Sequence, residues 1–195
     1  MSRIRADAER LSQKPTGILI IFNLLAYAVM AILGGNLLEI NPRLLASYGQ
    51  VNLYVLEGEY WRLFTSLFVH ANLVHLLGNM LFLLIFGRRA EELFGKGLYC
   101  AVYFCSGLIG NLLTLLWGSY VVSVGASGAI FGVFGASVIY IRQNIGQSVA
   151  GALIYSFYIF IMNVGANVNL LAHFGGLAAG LILGYSLSPR DSLEN

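Results

Sequence analysis

The chain has 195 residues, 58% of them hydrophobic and 10% charged, with a mean hydropathy of +0.77. A soluble domain carries roughly 25% charge, so the composition excludes one and implies an integral membrane protein. Each spanning helix takes about 20 mostly apolar residues, so the length allows about six spans and leaves no room for a sizeable soluble domain. The net charge of +2 makes no case for nucleic acid as a partner, and the positions of the charges matter more than their sum.

Residues 1–15 are polar and carry Arg3, Arg5, Arg10 and Lys14 ahead of an apolar run that begins at about Thr16. This reads as a cytoplasmic segment before a retained anchor, since a cleaved signal would have a shorter apolar core followed by a cleavage site. The first span is predicted at about 17–34. From 35 to 69 the chain is mixed, with Pro42, Glu39, Glu57, Glu59, Trp61 and Arg62, and reads as a long, partly interfacial outer loop of the kind that is often functional. Further spans are predicted at about 71–87, 97–117, 126–142, 149–164 and 169–187. The fold class is therefore all-α, a six-helix membrane bundle over 16–188 with a cytoplasmic tail at 189–195. Cys100 and Cys105 share one predicted helix with Cα atoms about 8 Å apart, beyond disulfide reach, and read as packing residues.

Charge tests the topology. With the amino terminus inside, Arg3, Arg5, Arg10, Lys14, Arg88, Arg89, Lys96, Arg142 and Arg190 fall on the cytoplasmic side and only Arg43 and Arg62 outside. That bias follows the positive-inside rule. Both termini are then cytoplasmic, and the joins at about 118–125 and 165–168 face outward.

This orientation gives the polar residues a depth. Ser127, between glycines in Gly125-Ala126-Ser127-Gly128, lies at the outer start of the fourth span, and His173 lies about one turn into the sixth, which also begins outside. His70 stands at the outer mouth of the second span, with His75 inside it and Asn79 four residues on, on the same helix face. Ionisable groups inside a bilayer are costly and face a cavity or a partner. Gly128, Gly132 and Gly135 form one stripe and Gly176, Gly180 and Gly184 another, and such stripes let two helix backbones approach closely. Each feature alone also fits ordinary packing between membrane helices.

A serine hydroxyl needs a base within about 2.6–3.2 Å, and the triad arrangement adds a carboxylate to orient that base. All nine acidic residues fall outside the predicted spans, so the chemistry expected here is a Ser127–His173 dyad with no metal and no cofactor. The base must be neutral, which an ordinary imidazole pKa of about 6.5 allows. Attack on a carbonyl develops an oxyanion that needs preorganised donors, and the available set is the Ser127 backbone N–H, His75 and Asn79. The sequence has no H-E-x-x-H zinc motif and no aspartate within a predicted span.

From Trp61 onward the chain resembles the rhomboid family of intramembrane serine proteases. Trp61-Arg62 resembles that family's outer-loop pair; His70, His75 and Asn79 match H-x4-H-x3-N; Gly87, Glu91 and Gly95 match G-x3-E-x3-G; Gly125-Ala126-Ser127-Gly128 matches G-x-S-G; Ala172-His173 with Gly176 and Gly180 matches A-H-x2-G-x3-G. The resemblance implies Ser127 as nucleophile, His173 as general base and acid, and His75, Asn79 and the Ser127 amide as the oxyanion site. It gives Gly125, Gly128, Phe131, Gly176 and Gly180 supporting roles and makes His70, Trp61, Arg62 and Glu91 structural. Some members carry Tyr one turn after the serine; here Phe131 keeps the ring, and stacking on the imidazole is expected.

The resemblance further implies the basic six-helix form in a prokaryotic cell membrane, a site open to the outer face, and transmembrane proteins as substrates, cut in or near a single span. Tyr155, Phe157, Tyr158 and Phe160 of the fifth span, with the join at 165–168, become candidates for a lateral gate and cap, although such aromatics equally suit a lipid-facing surface. Two other readings stand beside the protease: an inactive rhomboid-like binder of membrane proteins, which would be expected to lack Ser127 or His173, and a six-span transporter, which would need polar residues through the whole membrane depth.

Overall fold

The computed structural model describes residues 14–145 and 168–187, which are mostly helical. The predicted fifth span with its four gate aromatics, residues 165–167, the amino-terminal segment before Lys14 and the tail lie outside the described residues. Helix α1, Pro15–Gly34, opens on a proline at its first turn and closes on Gly35 in the left-handed region (φ 69), the helix-end asymmetry expected of these residues. Its buried face holds Thr16, Asn23 and Tyr27 alongside Leu19 and Met30, while Ile18, Phe22, Leu25, Val29 and Ile32 are exposed. Polar groups inside and apolar groups outside suit a helix whose solvent is hydrocarbon.

The predicted outer loop 35–69 contains ordered short elements. Asn41 caps α2, Pro42–Tyr48, by accepting the Arg43 N–H at 2.9 Å. Strand β1, Gln50–Val51, pairs antiparallel with β2, Val122–Ser123, setting Gln50 opposite Ser123. Helices α3, Asn52–Leu56, and α4, Arg62–Thr65, follow. Buried amides tie this region to the bundle: Gln50 Nε2 donates to the Asn111 carbonyl at 2.9 Å, and Asn52 Nδ2 donates to the carbonyls of Thr114 and Gly118, each at 2.7 Å. Arg62 is buried; its Nη1 donates to the carbonyls of Ala46, Ser47 and Gly49, its Nε pairs with Glu59 at 2.6 Å, and the guanidinium lies over the Tyr54 and Trp61 rings. These partners account for a charged residue inside an apolar setting.

Helix α5, Leu73–Phe94, runs past the predicted end at 87 through a π-helical turn at Leu83–Gly87. Hydropathy falls at Arg88 and Arg89, but both are exposed and the helix continues to Gly95 (φ 77). One expectation is thereby corrected: Glu91 lies inside a spanning-length helix, is buried, and accepts the Thr16 N–H at 3.2 Å. That bond caps a free donor in the first turn of α1. The remaining helices are α6, Lys96–Trp117, α7, Ser127–Ile145, and α8, Leu170–Leu187. Cys100 and Cys105 are free and both lie on α6.

Four described helices, α1, α5, α6 and α8, are long and apolar enough to cross a membrane. The predicted fourth span, α7, is not among them over its described length, where small residues interrupt the apolar run and Arg142, Gln143 and Asn144 lower its hydropathy. Its side chains from Gly128 to Val138 are buried almost throughout, so it is surrounded by protein and has little lipid to match. The broadest helix contacts are α7 with α8, then each of these with α6. The glycine stripes make the first of them: a Cβ on Gly176 would run into the Gly128 backbone, and one on Gly180 into the Gly132 backbone.

Because backbone cannot yield as a side-chain tip can, Gly180→Ala is expected to lose about 1–3 kcal/mol of stability, the scale of overpacking a core. Gly97→Ala, at a helical site with no atom within 4 Å of the added carbon, should be neutral or stabilising. Reversible unfolding of both variants in detergent measures the difference, and equal stabilities would contradict the contact's importance.

Candidate active site

A cavity of about 420 Å³ opens between α5, α7, α8 and the segment around β2, within the roughly 300–1,000 Å³ of small-molecule and cofactor sites. Ser127, His173, His75 and Asn79 all line it, with Asn72, Asn111, Ser123 and Asn169. Phe82, Phe86, Ile130, Phe131 and Phe134 line it as well. Among the described residues, no acidic side chain does.

Ser127 opens α7, and His173 sits in the first turn of α8. The close approach at Gly128 and Gly176, one residue past the serine and three past the histidine, brings the two side chains together: His173 Nε2 lies 2.5 Å from Ser127 Oγ. A Cβ on Gly128 would meet the Ala172 carbonyl at 3.0 Å, so this glycine too sits against α8 beside the pair. His173 is buried. The Phe131 ring contacts the imidazole with centroids 4.9 Å apart, but at 41°; the expected stacking is a tilted contact.

The turn into α7 depends on Gly125. Its φ is +120, and a Cβ there would sit 2.8 Å from His75 Nε2, so the residue must both adopt a backbone shape that side chains resist and leave space for a ring. Its N–H donates to the Ser66 carbonyl at 2.9 Å. On the other helix, Asn72 caps α5 by accepting the His75 N–H at 2.8 Å. The His75 ring makes an edge contact with His70, centroids 5.1 Å apart at 66°. His70 is fully buried in the turn before α5, and burial, reinforced by His75, pushes its pKa down to about 3, so it is neutral at physiological pH.

Asn79 is buried and lines the cavity, but its Nδ2 donates to the His75 carbonyl one turn back at 2.9 Å. The amide has a second hydrogen. The first-turn N–H of Ser127, like others at a helix start, has no acceptor within the helix. The structure thus gathers one hydroxyl, one imidazole at hydrogen-bonding distance, and a further imidazole and amide on the same cavity wall.

Sequence reasoning missed the amides that frame the site. Asn111 Nδ2 donates to the Leu63 carbonyl at 2.7 Å and to Ser66 Oγ at 2.9 Å, while Asn169 bonds to Thr114, Ser123 and the start of α8. Asn169 carried a readable signal, an Asn just before an apolar helical run. Its long-range partners carried none.

A protein-family model described as Rhomboid domain matches residues 57–190, more than half of the chain. The Bacillus subtilis (strain 168) protein YdcA is 38% identical over 145 residues, covering 69% of this chain and 70% of that protein. RHOMBOID-like protein 1 of Arabidopsis thaliana is 38% identical over 141 residues, covering 69% of this chain and 36% of its own length. Rhomboid protease GluP of Bacillus subtilis (strain 168) is 30% identical over 178 residues, covering 88% of this chain and 34% of its own length. The matched region is therefore well under two thirds of the last two proteins. The chain is an integral membrane protein that belongs to the rhomboid family of intramembrane proteases.

Proposed function

We propose that this protein is an intramembrane serine endopeptidase that cuts single-span membrane proteins in or near their transmembrane segment. The observation that carries the reading is the 2.5 Å separation of His173 Nε2 and Ser127 Oγ inside a cavity lined by further hydrogen-bond donors. Membership of the rhomboid family supports the substrate class. The six-span arrangement, with both termini cytoplasmic and the cavity open to the outer face, is part of the proposal, and the charge bias supports it.

In this mechanism His173 Nε2 takes the Ser127 hydroxyl proton as Oγ attacks the substrate carbonyl carbon. The carbonyl oxygen becomes an oxyanion, held by the Ser127 N–H, a ring N–H of His75 and the second amide hydrogen of Asn79. Collapse breaks the C–N bond, and the imidazolium gives its proton to the departing amine, leaving an ester on Ser127. Water then attacks that ester; His173 removes the water's proton and returns it to Oγ as the acid product leaves. The polar wall of Asn72, Asn111, Ser123 and Asn169 supports the presence of water at this depth. The buried position of His173 against Phe131 supports a fixed ring orientation.

A fluorophosphonate probe is expected to label the purified protein at Ser127, and both Ser127→Ala and His173→Ala should abolish labelling while the protein stays folded. Labelling of Ser127→Ala at the wild-type level would overturn the assignment. His75→Ala and Asn79→Ala are each expected to slow cleavage of a single-span substrate by about 10- to 1,000-fold, the scale of losing one oxyanion donor; unchanged rates in both would remove them from the site. Gly125→Ala, through its positive φ and the His75 ring, should lower cleavage by about 10-fold or more, read as initial rate beside a thermal midpoint.

A further inference from the structure

We propose that Asn169 is a positioning residue for the Ser127–His173 pair, an inference that rests on reading that pair as nucleophile and base. Asn169 precedes α8, and its amide bonds three separate elements. Nδ2 donates to Thr114 Oγ1 at the end of α6 and to Ser123 Oγ in β2, both at 2.8 Å, while Oδ1 accepts the Ala172 N–H at 3.0 Å. The backbone carbonyl of Asn169 also accepts the N–H of His173 itself, at 3.2 Å.

The direction of each bond is fixed by its partners. A backbone N–H can only donate, so the atom facing Ala172 is the amide oxygen. The Thr114 hydroxyl spends its hydrogen on the Gly110 carbonyl at 3.1 Å, so toward Asn169 it accepts. Both amide hydrogens and the amide oxygen are thus used. A carboxylate of the same length lacks the donors, and a hydroxyl has one hydrogen for two acceptors.

The placement of these bonds relates them to the reacting pair. Asn169 stands four residues before His173, and Ser123 stands four residues before Ser127. The Asn169–Ser123 bond therefore joins the two chain segments that deliver base and nucleophile, at equal distances from each. Gly128 and Gly176 allow α7 and α8 to touch; Asn169 sets where along its axis and at what rotation α8 begins. Without it the helices still pack, but the imidazole is free to slide or turn relative to Oγ. A misplacement of about 1 Å at a reacting centre costs on the order of 100-fold in rate.

The test is the fluorophosphonate labelling rate of the purified full-length chain, measured against probe concentration alongside thermal unfolding. Asn169→Ala is expected to lower the maximal labelling rate by about 10- to 100-fold while the half-saturating probe concentration stays within about 2-fold. Asn169→Asp keeps the capping oxygen but lacks both amide hydrogens, and Thr114 already spends its own on the Gly110 carbonyl, so the variant should stay about 10-fold or more below the wild-type rate. Ser123→Ala removes one bond and leaves the cap, with an expected loss of about 3- to 10-fold, and it decides the matter if Asn169→Ala does not fold. A folded Asn169→Ala that labels within about 2-fold of wild type, a folded Asn169→Asp that labels at the wild-type rate, or an unchanged Ser123→Ala overturns the proposal while leaving the nucleophile assignment intact. Absence of labelling in the wild type overturns the nucleophile assignment and the proposal with it.

Discussion

Two helix backbones touch at the centre of this molecule, and the site depends on that contact. Along α7, Gly128, Gly132 and Ala136 meet Gly176, Gly180 and Gly184 along α8, with no side chain between them. Hydrocarbon offers no hydrophobic gain for bringing two apolar helices together, so close dispersion contact supplies the attraction. Short side chains such as serine and histidine meet directly only where helix axes come this near. The glycine contact is thus a condition for the 2.5 Å Ser127–His173 separation, and glycines that bear no reactive group decide whether the two side chains can meet.

Polar side chains sit inside this protein beside its apolar core. Lipid-facing surfaces are apolar, and the interior holds Gln50, Asn52, Asn79, Asn111, Thr114 and Ser123, all buried. Most of these side chains spend their hydrogens on backbone carbonyls or on one another, which is how buried amides avoid the cost of desolvation. The amides also do what apolar packing cannot: they fix direction. Asn52 reaches two carbonyls at the end of α6, and Gln50 reaches a third, so the region between α1 and α5 is held to the bundle by oriented bonds.

Local signals in the sequence carried much of this. Apolar runs located α1, α5, α6 and α8, and small-residue periodicity located the α7–α8 contact; Ser127, His173, His75 and Asn79, singled out for the site, line one cavity. What stayed hidden depended on distant partners. Hydropathy ended the second span at Arg88 because it cannot see that Glu91 meets the first turn of α1. The stretch 35–69 read as a loop because its two-residue strand pairs with residues more than sixty positions away, and its buried amides are indistinguishable in sequence from solvated ones. The tilt of Phe131 against His173 likewise depends on neighbours that no local pattern encodes.

Helix α7 falls short of the apolar average that marks the four helices able to cross a bilayer on composition alone. Its surface is spent on close contact with α6 and α8, and Arg142, Gln143 and Asn144 fall in its last described turn. Such a segment gains little by partitioning into lipid by itself, because small residues bury little area and each charged residue at membrane depth is costly. What holds this helix in place is its packing against α6 and α8. During synthesis α6 precedes it and α8 follows, so the helix that opens with Ser127 acquires its full set of partners only after the one bearing His173 has been made. The Ser127–His173 contact therefore forms only when α8 has been made and has packed against α7.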